Sequence, residues 1–222
     1  MKNVYVINGP ATSGKDTFMD IVGEYINIEK YSAIDGIKEI LTKMGWNGEK
    51  TDEMRNALSD LKDFSAKHFD FPFNGIKRSY EAFLKSDAKI LFICCRDPED
   101  IERVCKQFQA QSVYIRNDRV SVTATNHADQ HTENYEYDIE ICNNGSLLDL
   151  RREAKKFIIN MFQSKKSIEL TAEDQPEFVG QFIDIFNDFL ESKTGKEVCI
   201  EGTDYDTLKK EIERMLVCWS IL

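Results

Sequence analysis

A segment near the N-terminus has the residue types and the spacing that bind phosphate. Gly9 follows an apolar run, and Gly14-Lys15 completes the pattern G-x-x-x-x-G-K. The two glycines let the backbone curl so that successive N–H groups face one anion, while Lys15 adds a positive charge for the outer phosphates of a nucleotide. Residues 18–26 continue with helical periodicity, and the positive end of that helix favours the same anion. The predicted nucleotide-binding residues are Gly9, Ala11, Thr12, Ser13, Gly14, Lys15, Asp16 and Thr17.

Three arginines follow predicted strands. Arg96 comes directly after the longest apolar run, and Arg116 and Arg119 come just after the next predicted strand. In α/β sheets, ligands bind beyond the C-terminal ends of the strands, and phosphoryl transfer depends on cations fixed around the moving group. A structural alternative is open for Arg96, because Asp97 or Glu99 is close enough in sequence to pair with it. The predicted catalytic residues are Lys15, Arg96, Arg116 and Arg119.

The pattern of apolar residues predicts which elements position these segments. Residues 4–7 and 90–95 are continuous apolar runs, as expected of strands buried on both faces of a parallel sheet. Residues 112–115 predict another strand, and residues 137–142 alternate, which is typical of a strand nearer an edge with one wetter face. Helical periodicity separates these runs, so the sequence predicts an α/β fold with a mainly parallel sheet.

Local signals predict several helix ends. Gly45 is a stop for the helix that follows Asp35, and Thr51 is a cap for the next helix. Ser146 and Asp149 have the spacing of a capping box, which starts a helix that continues to about residue 161. These signals divide the chain into strand–helix units.

The chain of 222 residues carries a net charge of −10, and this charge is unevenly distributed. Residues 164–222 hold 7 Lys and Arg against 13 Asp and Glu, a net −6, whereas residues 1–163 hold 22 against 26, a net −4. An acidic chain disfavours nucleic acid as a partner. We expect one domain over residues 1–163 and an acidic C-terminal extension over residues 164–222, of helical or α/β structure. This extension is expected to dock on the main domain or on the second subunit of a homodimer.

The six cysteines form no C-x-x-C pair, and Cys94 and Cys95 lie inside the apolar run. They are interpreted as reduced thiols in a reducing compartment. No signal-peptide pattern starts the chain, and no apolar run approaches the roughly 20 residues of a membrane span, so we expect a cytoplasmic protein without a membrane partner. His127 and His131 have the i, i+4 spacing of some metal sites, but their polar segment lacks a glutamate base. No zinc site is predicted.

The segment INGPATSGKDT, taken with the segments downstream, resembles the nucleoside and deoxynucleoside monophosphate kinases, the adenylate-kinase-like branch of the P-loop proteins. In that branch the residue after the lysine is often Gly or Asp followed by Thr, as in Asp16-Thr17 here. The resemblance covers about residues 1–163. It implies a P-loop NTPase fold of three α/β/α layers, with ATP and Mg²⁺ as cofactors. Phosphomevalonate kinases share the SGKD element and are the nearest competitor.

The same resemblance implies roles for charged residues downstream. YSAIDGIKEIL is similar to the family's substrate-side helix, and RNALSDLKD is similar to the next helix, which borders the monophosphate site. Arg96 is similar to the arginine that clamps the acceptor phosphate, and VYIRNDR is similar to the segment that leads into an arginine-bearing lid. The implied substrate-binding residues are Asp35, Lys38, Arg55 and Arg96. From the local pattern alone, Asp35 is equally an ordinary helix cap, and Lys38 and Arg55 are solvated helix residues.

Two departures from the family pattern bear on catalysis. The strand that would end in a Walker-B acid ends in Ile93-Cys94-Cys95, and Asp97 comes only after Arg96. Mg²⁺ is therefore expected at Thr17 and Asp16, in part through water, with phosphates as further ligands. The lid segment is also short and poor in arginine.

The leading hypothesis is ATP-dependent phosphoryl transfer to a small phosphorylated acceptor, with a nucleoside or deoxynucleoside monophosphate as the first choice. One alternative is a small-molecule kinase similar to phosphomevalonate kinase. Another is a non-catalytic, nucleotide-binding regulatory module whose acidic tail is a partner surface.

Overall fold

The computed structural model describes residues 2–49, 51–120 and 135–163. The strands in this part of the chain are β1 (Asn3–Asn8), β2 (Ile28–Ser32), β3 (Ile90–Cys94), β4 (Gln111–Arg116) and β5 (Ile139–Cys142). The helices are α1 (Lys15–Tyr25), α2 (Asp35–Lys43), α3 (Asp52–Phe69), α4 (Phe71–Phe83), α5 (Pro98–Phe108) and α6 (Leu147–Gln163). All strand pairs are parallel, and the sheet has the order β2-β3-β1-β4-β5.

The central strand, β1, is buried along its whole length, as its continuous apolar run predicts. Successive side chains on a strand point to opposite faces of the sheet. On one face, Val6 belongs to a core cluster that includes Phe83 of α4 and Ile101 of α5. On the other face, Phe92 of β3 packs against Phe18 of α1, with 6.5 Å between the ring centroids. The sheet is therefore the middle layer of three.

The predicted α/β class, with a parallel sheet between helices, is confirmed by this architecture. β5 forms one edge of the sheet, and of its side chains only Ile141 is buried, in agreement with the alternation over residues 137–142. The C-terminal ends of β1, β3 and β4 lie side by side because these strands are neighbours and parallel. The loops that carry the predicted site residues therefore meet at one edge of the sheet.

The predicted helix ends are also confirmed. Thr51 Oγ1 accepts a hydrogen bond from Met54 N (3.2 Å) at the start of α3, and Gly45 follows the end of α2 with a φ of 104°. Ser146 and Asp149 form a capping box at the start of α6. Ser146 N donates to the Asp149 carboxylate (2.8 Å), and Asp149 N donates to Ser146 Oγ (3.3 Å).

Helix α4 has no counterpart among the predicted elements. A single residue, Asp70, separates it from α3, and Asp70 has a left-handed backbone with a φ of 51°. Arg103 of α5 holds this turn, because its guanidinium donates two hydrogen bonds to the Asp70 carboxylate (2.6 and 2.5 Å) and lies 3.6 Å from the centre of the Phe73 ring. The partner that fixes the break between the two helices is distant in sequence, so no local pattern reveals it.

The chain divides into two compact units, Met1–Leu150 and Arg151–Leu222. Of the second unit the structure describes residues 151–163, which continue α6 and bury Ala154, Phe157 and Ile158. The elements predicted within residues 164–222 lie outside the described residues, and the domain boundary at residue 163 stays a prediction. No helix in the described part of the chain is both long enough and apolar enough to cross a membrane.

Candidate phosphate-binding site

The loop between β1 and α1 turns tightly at two glycines. Gly14 is the N-cap residue of α1, with a φ of 94° and no side-chain cap. A Cβ on Gly14 would overlap the side-chain nitrogen of Asn143, and a Cβ on Gly9 would lie 2.7 Å from the carbonyl oxygen of Ile115. Backbone conformation and space thus both require glycine. The strand–loop–helix unit that the sequence predicts is present.

Ser13 gives this loop a polar group in need of a partner. The residue is 1 % exposed, and its Oγ has no hydrogen-bond partner among the described residues. The hydroxyl lies 2.7 Å from where a Cβ on Gly9 would stand, so it faces across the loop. Leaving a buried hydroxyl unpaired costs about 1–3 kcal/mol, so a water or an anion is the expected partner. With the N-terminus of α1 and the half-buried Lys15, this hydroxyl fits a phosphate oxygen.

The other predicted loop residues lie on the outside of the loop. Ala11 and Thr12 form its exposed tip, where the Thr12 hydroxyl donates to the Ala11 carbonyl (2.6 Å). Asp16 and Thr17 lie exposed on the first turn of α1 and offer the oxygen ligands that Mg²⁺ prefers. These two side chains therefore fit the predicted metal.

Cys94 shows which charged groups surround the end of β3. Burial raises the pKa of its thiol to about 11, while the positive charge of Lys15 lowers it and the negative charges of Asp16 and Asp35 raise it. Lys30 also lowers this pKa. Cys94 is paired in register with Ile7 of β1 and with Ser32 of β2. The loop of residues 9–14 after β1, called the phosphate loop below, and the turn that leads into α2 therefore follow the two strands on either side of β3.

Three of the predicted substrate-side residues are paired within the protein. Asp35 accepts a hydrogen bond from Ser32 N (2.9 Å) and from Lys38 Nζ (2.8 Å), so two of the predicted residues bind each other. Arg55 lies on the first turn of α3, where its guanidinium is 3.6 Å from the carboxylate of Asp52. This exposed pair is what the alternative interpretation of Arg55 expects.

Asn8, which was not among the predicted residues, joins the phosphate loop to the segment that carries Arg96. The side chain of Asn8 is fully buried at the end of β1. Its Oδ1 accepts from Gly9 N (2.8 Å), and its Nδ2 donates to the carbonyl of Arg96 (3.3 Å) and to the hydroxyl of Tyr137 (2.8 Å). The arginine side chain is exposed. An asparagine between an apolar strand and a glycine is the signal that sequence reasoning passed over.

The acids after β3 have a partner that the sequence does not suggest. Lys62 of α3 is largely buried, with 17 % of its side chain exposed, and its Nζ lies 2.5 Å from Asp97 and 3.4 Å from Asp100. Asp97, which the alternative interpretation paired with Arg96, is therefore engaged by Lys62.

Arg116 and Arg119 lie beyond the end of β4 and are also engaged. Arg116 donates to Asp118 (2.7 Å) and to Glu140 (3.3 Å), and these hydrogen bonds raise the pKa of its guanidinium. Arg119 donates to two carbonyl oxygens of the turn at residues 143–145 (3.1 and 3.0 Å). Both side chains are exposed, so the structure places them near the loop edge of the sheet without joining them to Lys15.

Asn143 is a second residue that the predictions omit. It follows β5 directly, and its Nδ2 donates to the carbonyl oxygen of Ser13 (2.8 Å). Its backbone N–H donates to the carbonyl of Arg116 at the end of β4 (2.7 Å). The turn after β5 is therefore in direct contact with the phosphate loop.

The histidines and cysteines add no metal site within the described residues. His127 and His131 lie outside them. In the ranges that the structure covers, no group of three His, Cys, Asp or Glu side chains is arranged to hold a metal ion. The four described cysteines, Cys94, Cys95, Cys105 and Cys142, form no disulfide.

No protein-family model matches the sequence, and a search of curated proteins gives no match. Among solved structures, the chain is similar to the crystal structure of TT1252 from Thermus thermophilus, with 15 % sequence identity and a TM-score of 0.44. The alignment covers 72 % of this chain and 98 % of that one. This similarity is too remote to carry a functional assignment.

Proposed function

We propose that this protein is an ATP- and Mg²⁺-dependent kinase that transfers the γ-phosphoryl group to a small phosphorylated acceptor. A nucleoside or deoxynucleoside monophosphate is the first choice of acceptor, on the resemblance of INGPATSGKDT to that family. The observation that carries the proposal is the buried Ser13 hydroxyl, which has no hydrogen-bond partner in the described part of the chain and lies inside a glycine-bounded loop at the N-terminus of α1. A cytoplasmic location is part of the same proposal.

The donor phosphates would be held by the loop amides, the Ser13 hydroxyl and Lys15. Hydrogen-bond donors that are fixed before the ligand arrives stabilise developing charge without reorganising during the reaction. Asp16 and Thr17 would hold Mg²⁺, which neutralises charge on the phosphate oxygens when it is bound. Lys15 would add a fixed positive charge from the protein next to the donor phosphates.

The acceptor side would use Arg96 on the crevice edge, with Arg116 and Arg119 closing on the phosphoryl group. Arg116 would have to leave Asp118 and Glu140, all three of which are about half exposed. Exposed ion pairs are weak, so a phosphoryl group, which carries more negative charge than a single carboxylate, can replace these partners. Arg119 would likewise exchange two carbonyl oxygens for phosphoryl oxygens.

The test is Lys15→Ala, measured as ADP release from Mg²⁺–ATP over a panel of nucleotide and non-nucleotide monophosphate acceptors. Removing one donor to the transition state should reduce turnover by roughly 10²–10³. Lys43→Ala is the matched control, because Lys43 is an exposed lysine at the end of α2. Unchanged turnover in Lys15→Ala would exclude the assignment, and the acceptor that is used distinguishes a nucleotide kinase from a phosphomevalonate-like kinase.

A second candidate function is a nucleotide-binding regulatory module without transfer activity. It is favoured by the engagement of Asp97 with Lys62 and of Arg116 and Arg119 with protein partners. Such a module would bind ATP and lose that binding in Lys15→Ala. It would release no ADP with any acceptor on the panel.

A further inference from the structure

Asn143 holds the phosphate loop from the side of β5. Its Nδ2 donates to the carbonyl oxygen of Ser13 at 2.8 Å. The amide group occupies the space that a Cβ on Gly14 would fill, with Leu150 next to the same position at 3.8 Å. The missing side chain of Gly14 therefore has two effects, since it permits a φ of 94° and makes room for Asn143.

The position of Asn143 is itself fixed by two strand ends. Its backbone N–H donates to the carbonyl of Arg116 (2.7 Å), which continues the pairing of β4 with β5 beyond Cys142. Its carbonyl oxygen accepts from the Arg119 guanidinium (3.1 Å). Both contacts use backbone atoms of Asn143, so its side chain is left to contact the loop. The hydrogen bond to the Arg116 carbonyl continues the sheet and holds Asn143 in place even when Arg119 changes partners.

This contact sets the orientation of one peptide group in the loop. The peptide bond between Ser13 and Gly14 is trans, so its C=O and its N–H point in opposite directions. When Asn143 binds the Ser13 carbonyl, the Gly14 N–H is turned away from Asn143. A loop that binds an anion through N–H groups needs this orientation before the anion arrives, because ordering the loop on binding would weaken the affinity.

We propose that Asn143 is a positioning residue for the nucleotide, which fixes the Ser13–Gly14 peptide so that the loop is preorganised for the donor phosphates. The inference rests on the proposed function, since it takes ATP as the ligand of the loop. It adds a residue that is 130 positions from Ser13 in sequence and that would affect binding of the donor nucleotide but not of the acceptor.

The experiment compares Asn143→Ala and Asn143→Asp with Asn144→Ala, using calorimetric titration with Mg²⁺–ATP. Asn144 is the matched control because it lies in the same turn, yet its side chain exchanges hydrogen bonds with Asp118 (2.8 and 2.7 Å) and does not bind the loop. Asn143→Ala should raise the Kd for ATP roughly fivefold to tenfold, the effect of losing one hydrogen bond. Asn143→Asp should raise it further, because a carboxylate repels both the Ser13 carbonyl and the phosphates.

If Asn143 had only a structural role, its substitution would weaken the binding of donor and acceptor alike. The Asn143 variants should keep the KM for the acceptor within about twofold of the wild-type value. Asn144→Ala should keep wild-type ATP affinity. The urea midpoint of each variant shows how much stability it has lost. Equal ATP affinity in Asn143→Ala and Asn144→Ala, with binding lost in Lys15→Ala, overturns this inference and leaves the proposed function intact. Absence of ATP binding in the wild type removes the proposed function and this inference together. If neither Asn143 variant folds, Asn143 serves the fold and the proposal is wrong.

Discussion

The phosphate loop and the segment after β4 that carries Arg116 and Arg119 lie at the same edge of the sheet. They differ in whether their polar groups already have partners within the protein. In the loop, Gly14 has a backbone that only glycine adopts easily, and the buried Ser13 hydroxyl lacks a partner among the described residues. In the segment after β4, Arg116 and Arg119 already have protein partners at their guanidinium groups. The loop therefore has a buried polar group that a ligand could bind without displacing a protein partner. The two arginines would have to give up protein partners before they could bind a ligand.

Burial explains this difference. The loop is inserted between the ends of β1 and α1, where the carbonyl of Ile115 and the amide of Asn143 leave no room for a Cβ at either glycine. The side chains of Arg116 and Arg119 are in solvent, where charged partners are exchanged at little cost. A preformed loop and exposed arginines that can change partners are both compatible with the proposed kinase mechanism.

The largest expected effect on stability comes from Gly14→Ala, which would disrupt the preformed phosphate loop. A left-handed backbone costs a non-glycine residue about 1–2 kcal/mol, and displacing the Asn143 hydrogen bond adds about 1 kcal/mol. We expect the free energy of unfolding to fall by about 2–3 kcal/mol and ATP binding to weaken roughly tenfold or more. Urea unfolding and calorimetric titration measure the two effects.

Gly45→Ala is the matched control for this variant. Gly45 also has a left-handed backbone, with a φ of 104°, but no atom lies within 4 Å of the position that its Cβ would take. It should lose about 1–2 kcal/mol and retain wild-type ATP affinity. Similar losses of ATP affinity in Gly14→Ala and Gly45→Ala would show that the contact between Gly14 and Asn143 does not matter for ATP binding.

An intermediate effect is expected from Lys62→Met, which tests how firmly the Arg96 segment is held. The variant leaves Asp97 and Asp100 without their shared cation, and we expect a loss of roughly 1–2 kcal/mol for this partly buried cluster. Lys67→Met, at an exposed lysine of the same helix, should be close to neutral. Urea unfolding of the three proteins measures these differences.

The Lys62 effect should also depend on pH. Burial alone lowers the pKa of Lys62, but the hydrogen bond to Asp97 and the charges of Asp100 and Asp97 outweigh burial, so its pKa is raised. A raised pKa stabilises the folded state fully below the unfolded value of about 10.4, and this contribution disappears as the pH rises through the folded value. The gap in stability between wild type and Lys62→Met should therefore narrow above about pH 10.4. A gap that is constant from neutral to alkaline pH would contradict this account.

The smallest effect on stability is expected from Arg116→Met, which removes only exposed pairs. We expect an unchanged urea midpoint at neutral pH but slower phosphoryl transfer, because the arginine is proposed to act on the moving group. The hydrogen bond from Arg116 lowers the pKa of Asp118, so what little stability the pair gives is present above the ordinary aspartate pKa and is lost as the pH falls through the lowered value.

The control for Arg116→Met is Arg103→Met, which removes the two hydrogen bonds that hold the left-handed turn at Asp70 and the contact with the Phe73 ring. Arg103→Met should lower stability and leave turnover unchanged, because this residue is on α5 and outside the proposed site. If Arg116→Met instead unfolds more readily and turns over normally, the arginine has a structural role and the contrast between the two regions fails.

The sequence alone determined the features that depend on neighbours in the chain. The two glycines and Lys15 predict the strand–loop–helix unit, Thr51 and Ser146 predict helix starts, and residues 137–142 predict an edge strand by their alternation. Each of these signals arises from backbone conformation or from contacts within a few residues, so the spacing of residue types is enough to reveal it.

The tertiary structure alone decided which distant side chains meet at the site. Asn8 bonds to Arg96 and Tyr137, Asn143 bonds to Ser13, and Lys62 takes Asp97. These pairs depend on the strand order β2-β3-β1-β4-β5, which brings the ends of β3 and β4 to either side of β1. Amide and ammonium groups have no preferred sequence separation, so a single chain gives no signal for such pairs until the sheet has assembled and the buried donors must find acceptors.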